Sequence, residues 1–343
     1  MPTNYALRTP IYASTSSTTT GILSAKLLLN ITGQTNPVYT IVKEAATNVT
    51  VVFEIAELLR DYLDIVFDGT TYNKHSITFT STIQFFDQPN AGGSAVGAAI
   101  TTIGGDGWEA YGLFTDGVNP VLPFENRTSP TWLLAERRPS TGVADDDFYV
   151  FVPDGVSGKV AMISYAGVIT FESFNGTDTS TTPSTGVKLN ITRIDCTKYG
   201  TGRKITFINK YGVLQDLWFF LKIVKNINRT NESYQSNTIT SAAGSVSYSQ
   251  TNAPKKLFNT QAKQKHVLSS GYYPEYANAY FEELLLSEYV WYTRPEDNQP
   301  NSDETIPVIV KTSSMIYKTS VNDRLIEYTI EFEDAFDYIN NIR

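Results

Sequence analysis

The sequence predicts a mainly β protein, built from antiparallel sandwich-like or barrel-like domains with a few short amphipathic helices. Three observations carry this expectation. Two segments alternate apolar and polar residues with a period of two, Ser76 to Phe86 and Arg324 to Glu333. Aromatic residues make up 13% of the 343 positions, with 21 Tyr and 18 Phe, the kinds of side chain that suit a pleated, half-buried surface. Short apolar runs are separated by turn dipeptides such as Asp68-Gly69, Asp116-Gly117, Asp154-Gly155 and Asn175-Gly176.

In the first 70 residues, strands are expected at Ile22 to Ile31, Pro37 to Lys43 and Val49 to Ile55. A helix follows over Glu54 to Phe67, because Ile55, Leu58, Leu59, Tyr62 and Val66 form one apolar stripe. In Ser76 to Phe86 the buried row is Ile77, Phe79, Ile83 and Phe85, broken only by Ser81. One strand is expected within Ala91 to Gly107 and another over Trp108 to Thr115.

Residues 119–147 hold four prolines and the run Asp145-Asp146-Asp147, and they mark a unit boundary. Short strands at Phe148 to Val152, Lys159 to Tyr165, Val168 to Phe174 and Val187 to Ile194 follow. Residues 1–198 are therefore read as an N-terminal β region of one unit or two, with the break near 119–147. Residues 199–343 are read as a C-terminal β domain with a helix near 275–287 and a polar arm near 226–249, which a long hairpin would equally form. Within it, strands are expected at 204–209, 213–224, 289–293, 306–312, 314–319 and 324–333. A last helix over Asp334 to Ile342 turns Phe336 and Ile339 inward.

The net charge of −8 disfavours sequence-specific binding to a phosphate backbone. A single cysteine, Cys196, rules out an intrachain disulfide and fits assembly in a reducing cytoplasm. The seven Asn-x-Ser/Thr triplets read as chance in an Asn- and Thr-rich chain. The N-terminus lacks a signal-peptide pattern, and no apolar run is long enough to span a membrane.

Chemistry-bearing patterns are weak. His75 and His266 have no nucleophile-elbow motif near them and read as surface or packing residues. Cys196 reads as an inert buried thiol. Gly200-Thr201-Gly202-Arg203-Lys204 misses phosphate-loop spacing and precedes a strand, so it reads as a turn with solvated basic residues. Asp145 to Asp147, and a Gly104 to Gly107 loop carrying Asp106, read as solvated loops rather than cation sites. Glu54, Glu57, Glu282, Glu283, Glu331 and Glu333 fit the polar faces of amphipathic elements. No catalytic residue, cofactor or metal is expected.

Three blocks carry a family resemblance: VVFEIAELLRDYLD at Val51 to Asp64, GRKITFINKYGVLQDLWFF at Gly202 to Phe220, and the segment Val308 to Arg343. Together they resemble tail structural proteins of tailed bacteriophages that infect Bacteroidetes, the crAss-like phages among them. That resemblance implies a virion protein without catalytic residues, a subunit of a tail ring, hub or tube through which DNA passes. Its partners would be copies of itself in a cyclic ring and neighbouring tail proteins, with double-stranded DNA only in transit. It would be assembled in the host bacterial cytoplasm. Glu327, Glu331 and Glu333 share a strand face, which would repel DNA if it lined a lumen; a plain solvated face is slightly preferred. The runner-up is a receptor- or carbohydrate-binding tail module using Trp108, Trp132 or Trp291, and a tail-associated hydrolase is third.

Overall fold

The computed structural model describes residues 3–72, 75–112, 132–134, 148–155, 157–164, 169–181, 189–194, 202–295, 303–317 and 326–337. The protein is mainly β, and sheet pairing divides it into three stretches. The first is a five-stranded sheet in the order β1-β7-β6-β3-β4: β1 (Thr3–Ala6), β7 (Ala95–Trp108), β6 (Ser76–Phe86), β3 (Ser24–Ile31) and β4 (Tyr39–Glu44). The pair β2 (Tyr12–Thr15) and β5 (Val51–Glu54) completes this unit. Leu27, Leu29, Phe79, Ile83 and Phe85 of the large sheet meet Ala13, Phe53, Ile55 and Leu59 in one core.

The alternation of β6 turns out as its sequence predicts, and the misfit Ser81 has a reason. Its hydroxyl is fully buried and bonds the Thr102 hydroxyl and the Ile103 carbonyl across the sheet, so a polar atom sits in the apolar row at little cost. The flanking strand β7 is longer than expected. Trp108 ends it instead of opening a new strand, and Gly104 to Gly107 lie inside it rather than in a loop. The chain runs without regular structure from Glu109 to Gly112, and the rest of the strand expected to Thr115 lies outside the described residues.

The middle stretch forms two small sheets. One is β11-β10-β8: β8 (Trp132–Leu134), β10 (Gly158–Ser164) and β11 (Ile169–Phe174). The other is β12-β13-β9: β9 (Phe148–Pro153), β12 (Ser180–Thr181) and β13 (Leu189–Ile194). Most pairings in the protein are antiparallel, but β9 with β13 and β1 with β7 run parallel. Phe151 reaches the third stretch, where its ring lies 5.2 Å from that of Tyr273.

The third stretch is a seven-stranded sheet in the order β15-β14-β20-β21-β22-β19-β16. Its strands are β14 (Arg203–Ile208), β15 (Leu214–Phe219), β16 (Ile223–Gln235), β19 (Lys255–Ser269), β20 (Val290–Pro295), β21 (Asp303–Val310) and β22 (Thr329–Asp334). The helix α2 (Asn278–Leu286) covers one face. Its Tyr280, Phe281 and Leu284 pack with Phe207, Phe219, Ile330 and Phe332. Tyr280, Phe281 and Leu284 are among the apolar residues expected of the 275–287 helix, and Ile330 and Phe332 among the inward residues of the 324–333 strand.

The opposite face is covered by the segment that leaves α1 (Ala56–Arg60), and here the sequence misleads. The helix expected over 54–67 stops after five residues. Its apolar stripe serves two cores. Ile55 and Leu59 are buried in the N-terminal unit, whereas Phe67 packs edge-on against Trp291 of the seven-stranded sheet, with ring centroids 5.7 Å apart. No straight helix reaches both, so the chain unwinds and Val66 is left 63% exposed.

Gly69 sits on this bridge with φ +91°. A Cβ there would collide with the Thr305 hydroxyl. Gly69→Ala is expected to destabilise the protein by about 1–3 kcal/mol through backbone strain, with the clash adding to it. Urea denaturation checks this, and an unchanged midpoint would contradict the bridging role.

Two further expectations fail at the end of the chain. Residues 311–317 have no regular structure where a strand was expected from Ser314; 318–325 lie outside the described residues. The strand β22 runs to Asp334, where a helix was expected to start, and Phe336 is 66% exposed rather than turned inward. Ile339 lies outside the described residues.

Candidate functional site

The acidic strand face expected at Glu327, Glu331 and Glu333 is present, but it is not bare. β22 lies between β21 and β19, and β19 brings lysines alongside. Lys265 Nζ is 2.6 Å from Glu331 Oε1. Lys263 Nζ is 3.4 Å and Lys311 Nζ 3.9 Å from Glu333 Oε1. Ser269 donates its hydroxyl hydrogen to Glu327. Three lysines thus pair with two of the three glutamates, and the third accepts from a serine. Charge compensation removes the uniform negative potential that a DNA-repelling lining needs, and the cause is strand pairing that the sequence of β22 alone does not reveal.

Beyond this ladder, β16 and β19 leave the sheet as a two-stranded arm. They hold register from Ile223–Leu268 out to Gln235–Lys255, with one irregularity at Thr230 to Glu232. Residues 225–259 are exposed except for half-buried Ser236 and Thr238. At about 3.3 Å per residue, the exposed part of β16 projects about 35 Å. The tip carries a second hairpin, β17 (Ile239–Ala242) paired with β18 (Ser245–Tyr248). The polar segment 226–249 falls on β16, β17 and β18 of this ribbon, and the returning strand β19 lies beyond those bounds.

The arm's surface is unusual for a solvated hairpin. Ile227, Leu257 and Ile239 are exposed, and Val246 and Tyr248 at the tip are 72% and 69% exposed. Tyr234 and Phe258 meet edge-on at 5.7 Å on the flank, beside a cleft of about 410 Å³ lined by Ser233, Tyr234, Gln235, Pro254 and Lys255. A two-stranded ribbon with no sheet against it gains little from burial, so these apolar side chains, spread from Ile227 to the tip, stay in solvent.

The arm's root is held rigidly. His266 is buried, with Nε2 2.8 Å from Asp334 Oδ1 and its ring 5.0 Å from that of Tyr292. The N-terminal unit is fixed to the same sheet by four charges. Arg60 Nη2 lies 3.1 Å from Glu109 Oε1 and 2.6 Å from Glu288 Oε2, and Arg8 Nη2 lies 3.0 Å from Glu288 Oε1. Glu109 is only 1% exposed. Its burial raises its pKa, against the pull of Arg60 and Arg8, so the group stays above the usual carboxylate value. Burial opposes the charge of Arg60 too, but Glu109 and Glu288 outweigh it and raise the guanidinium pKa. For Glu288 burial is again the largest influence, and the arginines together overcome it and lower its pKa. The Tyr111 N–H donates to the Lys210 carbonyl beside this cluster, tying the loop after β7 to the β14–β15 turn.

The remaining sequence candidates fall apart as sites. His75 and His266 are both buried packing residues far apart in pairing. Lys204 is not solvated: its Nζ donates to the Gly69 carbonyl at 3.2 Å and lies over the Phe67 and Tyr72 rings. Asp106 accepts the Thr78 hydroxyl hydrogen at 2.6 Å within the sheet. Glu283 is buried and paired with Lys210 at 3.3 Å, so it does not belong to a solvated helix face. Trp108 is fully buried, its Nε1–H donating to Asn4 Oδ1 at 2.8 Å, and Trp291 is buried against Phe67. Cys196, Gly200, Thr201 and Asp145 to Asp147 lie outside the described residues, as does the side chain of Trp132. Among the described residues no cluster of His, Cys, Asp or Glu is arranged to hold a metal ion, and no helix is long and apolar enough to cross a membrane.

His75 gives a pH expectation. Burial lowers its pKa below the ordinary 6.5, partly offset by its bond to the Asp64 backbone. The unfolded chain therefore binds the proton more readily. Stability is full above about pH 6.5 and falls as the pH drops from there through the depressed folded pKa. His75→Gln should flatten that part of the pH–stability curve, which thermal melts across the range from neutral to mildly acidic pH would reveal. A wild-type curve with no slope there would contradict the assignment.

No protein-family model, no curated protein and no solved structure matches this chain.

Proposed function

We propose that this chain is a non-enzymatic structural subunit of a bacteriophage tail, present as one copy in a ring, hub or tube that DNA traverses. The observation that carries the assembly part of this reading is the arm: an extended ribbon with exposed Ile227, Val246, Tyr248 and Leu257, rooted in a sheet with a large aromatic core. Such a surface is satisfied when a neighbour covers it. The tail assignment is supported by the three resembling sequence blocks. They map onto β5–α1, the β14–β15 hairpin and the β21–β22 pair, the elements that join the two large sheets and build the sheet that bears the arm.

In this reading the neighbours are copies of the chain and adjoining tail proteins, DNA is contacted only in passing, and the protein resides in the virion tail. The glycan-binding reading depended on exposed tryptophans, and two of its three candidates, Trp108 and Trp291, are buried. Lysines pair with Glu331 and Glu333 in the β19–β22 ladder, so this reading assigns that strand face no DNA-repelling role.

Particles purified from an infected culture test the reading. Antibody labelling of this chain is expected to decorate the tail at one axial position. Its absence from purified particles would remove the proposal.

A further inference from the structure

The arm differs from the rest of the chain in charge as well as in shape. Residues 225–263 carry Lys225, Arg229, Lys255, Lys256 and Lys263 against the single Glu232. The remaining residues hold 22 basic and 34 acidic side chains. Among the described residues, Lys225, Arg229, Lys255 and Lys256 have no ion-pair partner, and they lie on the exposed ribbon. The tip, residues 236–254, has no charge at all.

A surface of opposite character lies on the N-terminal unit. Residues 44–68 expose Glu44 at the end of β4, and Glu54, Glu57, Asp61 and Asp64 on or beside β5 and α1. Arg60, the cation of that stretch, pairs with Glu109 and Glu288 and lies 3.9 Å from Glu57, and Lys43 at its edge donates to the Val52 carbonyl, so the carboxylates outnumber the cations without being bare. Val49, Val52 and Val66 are exposed among these carboxylates. This surface is acidic and apolar, whereas the arm is basic and apolar.

We propose that the β16–β19 arm of one copy docks on the acidic surface formed by residues 44–68 of a second copy. The inference rests on the ring reading and supplies its contact. The two faces are different, so the contact is head-to-tail, the geometry from which closed rings are generated. Opposed potentials steer the approach and set the register, while the apolar side chains supply the burial. A nucleic acid is the weaker fit, because the uncharged tip offers phosphates nothing and the cations flank apolar side chains.

A charge swap on the full chain tests this. Sedimentation velocity is measured on the wild type, on Lys255→Glu with Lys256→Glu, on Glu54→Lys with Glu57→Lys, and on all four together. Each pair of reversals is expected to raise the concentration for half-assembly by about tenfold or more. The fourfold variant is expected to recover assembly, and added salt to weaken the wild type. Lys255 and Lys256 are exposed and make no ion pair among the described residues, whereas Glu54 accepts the Ala56 N–H and Glu57 lies 3.9 Å from Arg60. Thermal melts by circular dichroism are therefore run on every variant, and recovery in the fourfold variant separates a lost contact from a weakened fold. Assembly that ignores the arm reversal, or a defect that the fourfold swap leaves unrepaired, overturns the proposed contact while leaving the ring reading in place. An arm reversal that abolishes binding to a short DNA duplex without touching assembly overturns it in favour of a nucleic-acid role. A wild type that stays monomeric at every concentration overturns the ring reading itself.

Discussion

Phe281→Ala is expected to destabilise the protein by about 3–5 kcal/mol, the cost of removing a large aromatic side chain from a close-packed core. Phe281 is fully buried on α2. The rings of Tyr328, Tyr273 and Phe219 surround it at 4.8, 5.3 and 6.2 Å, so little can move in to fill the void. Leu268 of β19 and Ile330 of β22 belong to the same core, so the loss reaches the root of the arm. Phe281→Leu keeps part of the volume and should lose less. Urea denaturation gives the ranking directly. An alanine variant within about 1 kcal/mol of wild type would show that α2 does not hold the sheet.

Arg60→Ala is expected to cost about 3–5 kcal/mol, because it strands a buried carboxylate. Glu109 would keep only Arg8, whose Nε lies 3.7 Å away. Removing both partners leaves no such charge, so Arg60→Ala with Glu109→Ala should be more stable than Arg60→Ala alone. The two single losses would then fail to add. The pH dependence has a definite sign. Without Arg60, the already raised pKa of Glu109 rises further, and a carboxyl with a raised folded pKa favours folding at low pH and loses that contribution as pH climbs through the folded value. The Arg60→Ala defect should therefore shrink as the pH is lowered into the carboxylate range. Strictly additive losses and a pH-independent defect would contradict the account of the cluster.

Local patterns were legible where one strand met one core. Alternation in Ser76 to Phe86 and from Ile326 to Phe332 predicted which side chains are buried, because pairing on both sides of β6 and β22 keeps the period of two. The stripe of Ile55, Leu58, Leu59 and Tyr62 predicted a helix but not its end, since Phe67 is claimed by a second core whose position no local period encodes. Long-range pairing was equally hidden. Lys263 and Lys265 lie more than sixty residues from the glutamates they neutralise, so the acidic face looked bare in sequence. The return strand Lys255–Ser269 has no strand signature in sequence because its outer half faces solvent on both sides and carries no burial alternation. Its polarity, which reads as loop in sequence, is the property that makes it an arm. The paired arginines Arg8 and Arg60 give no signal in sequence, because an ionic cluster drawn from four separate segments around the buried Glu109 has no spacing rule.

In the proposed ring, adjoining copies of the chain complete the surface made by the arm and the sheet it grows from. Native mass spectrometry of the purified full-length chain at micromolar concentration is the decisive measurement. One closed stoichiometry with no ladder of intermediate sizes is expected. A single peak at 38.1 kDa under every condition that keeps the protein folded would contradict it.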